Sequence, residues 1–79
     1  MASIEERILK DIDIFNVNIR EVDRGKLDAR QKKVVELAEM YAKDSMSFFK
    51  KKDYYTSFSS IAYAHGLLDS IRTQNGIIE

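Results

Sequence analysis

No proline interrupts the 79 residues of this chain. Proline removes a backbone donor and clashes with the preceding turn, so it breaks helices from within. A chain without it can carry long helices end to end. Three glycines, Gly25, Gly66 and Gly76, are the punctuation that remains. Residues 1–79 leave room for one domain with one core, near the lower limit of lengths that fold alone. Hydrophobic residues make up 44% of the chain, too many for a disordered segment. Charged residues make up 33%, enough to solvate the outer faces of helices.

The first segment opens on Ser3 with Glu6 three residues later, the pattern of a capping box. Ile8, Ile12, Phe15, Ile19 and Val22 then recur at alternating steps of four and three, which draws one helical stripe. Asp11-Ile12-Asp13-Ile14 alternates polar and apolar as a strand would. The neighbouring Ile14 and Phe15 break that period, and the four-three stripe runs through the whole segment. We read it as helix. Leu9, Ile14 and Val17 lie off the stripe; either they broaden contact with the other helices or they form a second buried face at a dimer contact.

Gly25 suits a helix C-cap in the left-handed conformation. Asp28 can cap the next helix, with Gln31 at its third position. Val34, Ala38, Tyr41, Ser45 and Phe48 form that helix's inner stripe, flanked by Val35, Leu37, Ala42 and Phe49. Lys50, Lys51 and Lys52 close it, where cations oppose the negative end of the helix dipole. Asp53 follows at once and can cap a third helix, so the turn is very short and the two helices form an antiparallel hairpin. Tyr54, Phe58, Ile61, His65, Leu68 and Arg72 line one stripe of the third helix, with Tyr55, Ala62, Leu67 and Ile71 beside it. Asn75-Gly76 ends it, and Ile77 and Ile78 either fold back on the last turn or meet a partner. The expected architecture is all-α: a three-helix bundle made of this hairpin and an N-terminal helix.

Composition excludes several kinds of chemistry. There is no cysteine, so disulfides and thiolate metal sites are impossible. One histidine without cysteine weighs against zinc, and no Glu-x-x-His motif points to a carboxylate-bridged metal pair. No metal or cofactor is implied. Thirteen basic residues balance thirteen acidic ones. That balance argues against a general nucleic-acid binder and against a polybasic membrane anchor. Residues 1–10 are amphipathic, with Glu5 and Glu6 balanced by Arg7 and Lys10, unlike a secretory leader, and no apolar run approaches the roughly 20 residues that span a bilayer. A cytoplasmic location is the expectation.

The densest stretch for chemistry runs from Asp53 to Asp69. It holds three of the four tyrosines, the single histidine and the mid-helix Gly66. His65 and Asp69 stand at i,i+4, where a carboxylate would raise the imidazole pKa and fix its tautomer. With Tyr55 and Tyr63 they form a candidate polar patch, to which Ser57 and Ser60 add hydroxyls. The functional reading is a small polar pocket or an acid/base pair. The plainer reading is a histidine hydrogen-bonded to Asp69 at the core edge. Nucleophilic catalysis would need a third group and an oxyanion site, and neither is visible. Gly66 costs about 1 kcal/mol against alanine inside a helix. A close approach of another backbone at Gly66 and Ala62, a packing notch, would offset that cost. The basic residues Arg24, Lys26, Arg30, Lys32 and Lys33 are interleaved with Asp23 and Asp28, a weak basis for RNA binding.

Phe48-Phe49, Lys52-Asp53-Tyr54-Tyr55, Ser57-Phe58, Ser60-Ile61 and Tyr63-Ala64-His65-Gly66-Leu67-Leu68-Asp69 together resemble an archaeal family of unknown function, number 357 in the series of such domains. The likeness is strongest from Ala42 to Ile71. Ser57 stands where the family often has alanine, a departure that should leave the fold unchanged. The resemblance implies an archaeal, cytoplasmic, helical-bundle protein and brings no activity. The hairpin also resembles the HEPN superfamily, whose ribonucleases place an arginine within about six residues before a histidine. Here Ser60-Ile61-Ala62-Tyr63-Ala64 precedes His65, without arginine, so a domain of that kind would be non-catalytic. The leading expectation is therefore a non-enzymatic helical interaction module, acting as a homodimer or on a partner protein. A small-ligand or nucleotide-binding protein using Tyr55, His65 and Asp69 is the alternative, with RNA binding behind it.

Overall fold

The computed structural model describes residues 3–74. Three helices account for most of them: α1 (Ile4–Arg20), α2 (Ala29–Lys50) and α3 (Tyr54–Gln74), with a short 3-10 turn at Arg24–Lys26 between the first two. No strand occurs among the described residues. Ile12 to Ile19 is helical, so the four-three stripe prevails over the local alternation.

Each helix starts where a side-chain oxygen can take an orphan amide. The Glu6 amide donates to Ser3 Oγ at 3.2 Å. At α2 the capping box closes in both directions, Gln31 N–H to Asp28 Oδ1 at 2.7 Å and Asp28 N–H to Gln31 Oε1 at 3.1 Å. The Thr56 amide donates to Asp53 Oδ1 at 3.2 Å. Such caps each contribute about 1 kcal/mol.

The helix ends are less regular. α1 stops at Arg20, with Glu21 in a right-handed cap, so Gly25 is not its C-cap. Gly25 instead sits inside the 3-10 turn and donates its amide to Asp23 Oδ1 at 3.1 Å. The left-handed residue is Lys52, φ 63°. Its amide reaches the Phe49 carbonyl at 2.9 Å, and the Asp53 amide reaches the Phe48 carbonyl at 3.0 Å. Those two bonds are the Schellman pair that ends α2 and reverses the chain. Asn75-Gly76, Ile77 and Ile78 lie outside the described residues.

The helices run up, down and up. Ser45–Ser57, Tyr41–Tyr63 and Gln31–Gln74 pair α2 with α3 in antiparallel sense. Arg7–Phe58, Asp11–His65 and Glu21–Arg72 pair α1 with α3 in parallel sense. α2 and α3 pack extensively, whereas α1 leans mainly on α3.

One core joins all three helices and the connection. Ile8, Ile12 and Phe15 enter it from α1, with Val22 and Leu27 from the connection. Val35, Ala38 and Ala42 come from α2, and Ile61, Ala64, Leu68 and Ile71 from α3. The α2 seam thus centres on Val35, Ala38, Ala42 and Ser45, rotated from the expected line, and Val34 and Tyr41 are only half-buried. Small residues at that seam let the helices approach. Ser45 Oγ donates to the Ser57 carbonyl and Ser57 Oγ to the Ser45 carbonyl, both at 2.7 Å and both fully buried. A helix carbonyl has a second lone pair, so neither helical ladder is broken. Leu9, Ile14 and Val17 stay exposed and do not broaden the core.

Gly66 does not form the expected notch within the chain. A Cβ built there meets nothing within 4 Å, and both Gly66 and Ala62 face solvent.

Candidate functional site

α3 carries every residue of the candidate patch, but the helix period distributes them. Successive residues turn by about 100°, so Tyr63 and His65 face opposite sides. Tyr55 and Asp69 are fourteen residues apart, about 21 Å along the axis. Tyr55 is 85% exposed and Tyr63 52%. The Tyr63 ring sets its edge on Tyr41, centroids 4.7 Å apart.

His65 turns to α1. Its Nε2 lies 2.7 Å from the Asp11 carbonyl oxygen. A carbonyl only accepts, so Nε2 carries the proton. The imidazole also packs edge-on to Phe15 at 5.8 Å. Asp69 is engaged elsewhere, accepting from Arg72 Nη1 at 3.2 Å. The two residues are neighbours on the helix without being hydrogen-bonded partners. Ser57, a candidate hydroxyl, is committed to Ser45 on the far side.

Arg72 is a polar centre that the sequence reading placed on a stripe without assigning it a role. It is 9% exposed, and its guanidinium joins two elements. Nη2 donates to Glu21 Oε2 at 3.0 Å, tying the end of α1 to α3, while Nη1 holds Asp69. Nε is buried and finds no partner among the described residues. Placement on an apolar stripe was the available signal, since an arginine there must be paired to be buried.

The basic cluster is partly neutralised. Arg24 Nη1 bonds Glu39 Oε1 at 2.9 Å, and that hydrogen bond holds the guanidinium pKa above its ordinary value. No three His, Cys, Asp or Glu side chains gather into a metal-holding group among the described residues. No helix among them is long and apolar enough to cross a membrane.

Two surface features remain. The first is an open cleft of about 300 Å³ between α1 and α2, floored by Ile12, Phe15, Ile19, Ala42 and Met46 and rimmed by Asn16, Glu39 and Lys43. None of Tyr55, Tyr63, His65 or Asp69 lines it. The second is the outer side of α3. Its exposed residues are Tyr55, Ser59, Ala62, Tyr63, Gly66, Ser70, Thr73 and Gln74, and none is charged; the one carboxylate at their edge, the half-exposed Asp69, is paired with Arg72. The exposed side of α1 carries Glu6, Arg7, Lys10, Asp13 and Arg20, and that of α2 carries Arg30, Lys32, Lys33, Glu36, Glu39, Lys43 and Lys50. A water-facing helix side without charge stands apart in such a chain.

The profile of the family described as Protein of unknown function (DUF357) matches residues 6–77. The chain belongs to this family. The match spans all three helices of this DUF357 chain, beyond the Ala42–Ile71 stretch that carried the resemblance most strongly. No protein with a curated description matches it.

Proposed function

We propose that this DUF357 chain is a non-enzymatic helical interaction module, and that the outer side of α3 is its contact surface. The observation that carries this reading is the absence of charge from the exposed residues of α3, beside charged α1 and α2. Interface cores are depleted of charged residues and enriched in tyrosine. Tyr55 and Tyr63 supply large rigid contact area there at low entropic cost. Leu9, Ile14 and Val17 are also exposed, but Glu6, Lys10, Asp13 and Arg20 are interspersed among them, so α1 offers no continuous apolar face.

The small-ligand alternative gains little support, because its tyrosines, histidine and aspartate point apart and none lines the α1–α2 cleft. The RNA-binding alternative rests on a cluster that Glu39 and the interleaved aspartates offset.

The test is capture from a lysate of the native source with three baits: the natural chain, Gly66→Arg and Val17→Arg. A protein identified by mass spectrometry, or the untagged chain itself, is expected with the natural bait and Val17→Arg and lost with Gly66→Arg. The same set from all three overturns the reading.

A further inference from the structure

A helical hairpin has two broad faces. His65, Phe58 and Arg72 point from α3 to α1, so α1 covers one of them. On the other, Ser59, Tyr63, Gly66 and Ser70 recur along α3 at four-three-four spacing, the period of a seam between packed helices. Leu37 and Met40 stand exposed on the α2 half, and the Tyr41–Tyr63 contact joins the two halves.

We propose that this face binds a second copy of the chain, about a two-fold axis parallel to the helices. The inference rests on the interaction-module reading and names its partner. Three observations point to a copy. The first is register. Such an axis lays α2 of one protomer on α3 of the other and keeps each residue at its own height. Heights follow from the intrachain pairs Ser45–Ser57 and Tyr41–Tyr63. They bring Leu37 level with Gly66 of the partner copy, a large side chain over a bare backbone. They also bring Asp44 level with the copy's Ser59, a carboxylate beside a hydroxyl that can donate. Both matches are made twice, as a two-fold interface requires.

The second is charge. The exposed residues of the α3 half carry none, and the half-exposed Asp69 carboxylate is paired with Arg72, which points toward α1, so α2 of the copy meets no like charge on the open face. The third is area. Two helices about 30 Å long and about 10 Å apart present about 600 Å² in projection, close to the roughly 800 Å² per partner of a specific interface. The copy also accounts for Gly66, whose cost in the free chain is matched by no intrachain contact.

Sedimentation equilibrium of the full chain, with helicity checked by circular dichroism, decides the matter. The natural chain is expected at twice 9.2 kDa. Gly66→Arg and Leu37→Arg are each expected to weaken self-association at least about tenfold, with unchanged helicity, while Val17→Arg leaves it intact. Both arginine variants sit at exposed positions, so a folded monomer is the expected form of each. A natural chain that stays at 9.2 kDa throughout overturns the second copy, and the capture experiment then judges the interaction reading separately. A dimer that survives both variants, or yields only to Val17→Arg, also overturns it.

Discussion

At the scale of single residues, the polar groups of this chain act in pairs that hold helices together. Ser45 and Ser57 each donate one buried hydrogen bond, and removing either leaves the other intact. Ser57→Ala or Ser45→Ala is therefore expected to cost about 1 kcal/mol each by thermal denaturation, with the fold kept. Ser45→Leu is expected to cost more, about 1–3 kcal/mol, because a branched side chain cannot fit the close approach. A Ser45→Leu variant as stable as Ser45→Ala would refute the tight seam. Arg72 gives the opposite sign. Its Nε is buried without a partner, a cost of about 1–3 kcal/mol that offsets its two ion pairs. Both carboxylates are about half exposed, so those pairs contribute modestly. Arg72→Met is expected to leave the melting temperature unchanged or raise it. A loss above about 2 kcal/mol would show that the clamp is the stronger effect. The i,i+4 spacing of His65 and Asp69 is visible in the sequence, but the Asp11 carbonyl takes His65 from another helix, while Arg72, one turn along α3, takes Asp69 through an i,i+3 pair that the sequence also displays.

Among the helices, the starts were legible and the ends were not. Ser3, Asp28 and Asp53 cap their helices through contacts three residues away, within reach of local pattern. The end of α2 places Lys52 in the left-handed region, where glycine would be the ordinary choice, while Gly25 has a different task. Lys52→Gly is expected to stabilise the chain by up to about 1 kcal/mol, net of the added freedom of the unfolded state. A loss of stability would show that the lysine side chain contributes more than its backbone costs. The stripe of α1 was legible because its apolar residues are large and evenly spaced. The α2 seam lies about one residue away from the stripe of large apolar residues, because Tyr41 and Phe48 draw the apolar centre sideways whereas the helices pack closest along Ala38, Ala42 and Ser45. The helix penalty of Gly66 beside the small Ala62 points to an intrachain notch, yet Gly66 faces water. Gly66→Ala is accordingly expected to stabilise the folded monomer by about 1 kcal/mol in denaturant melts of dilute chain. A destabilised monomer would mean that something within the chain does approach it.

For the whole molecule, three amphipathic helices close one core, and the chain then presents a charged surface on α1 and α2 and an uncharged one on α3. Hydrophobic period and caps sufficed for that architecture, because each helix declares its buried side independently. The surface asymmetry escaped the sequence reading because it appears only when the exposed side of each helix is known. The central claim is that the uncharged side of α3 is where a second copy of the chain docks. Amide chemical shifts of the uniformly labelled chain, followed from micromolar to millimolar concentration, test it at residue resolution. The account predicts that Ser59, Tyr63, Gly66 and Ser70 shift together with Leu37, while Lys10, Asp13 and Val17 on the outside of α1 stay still. Shifts confined to α1, or none anywhere across the series, would contradict it.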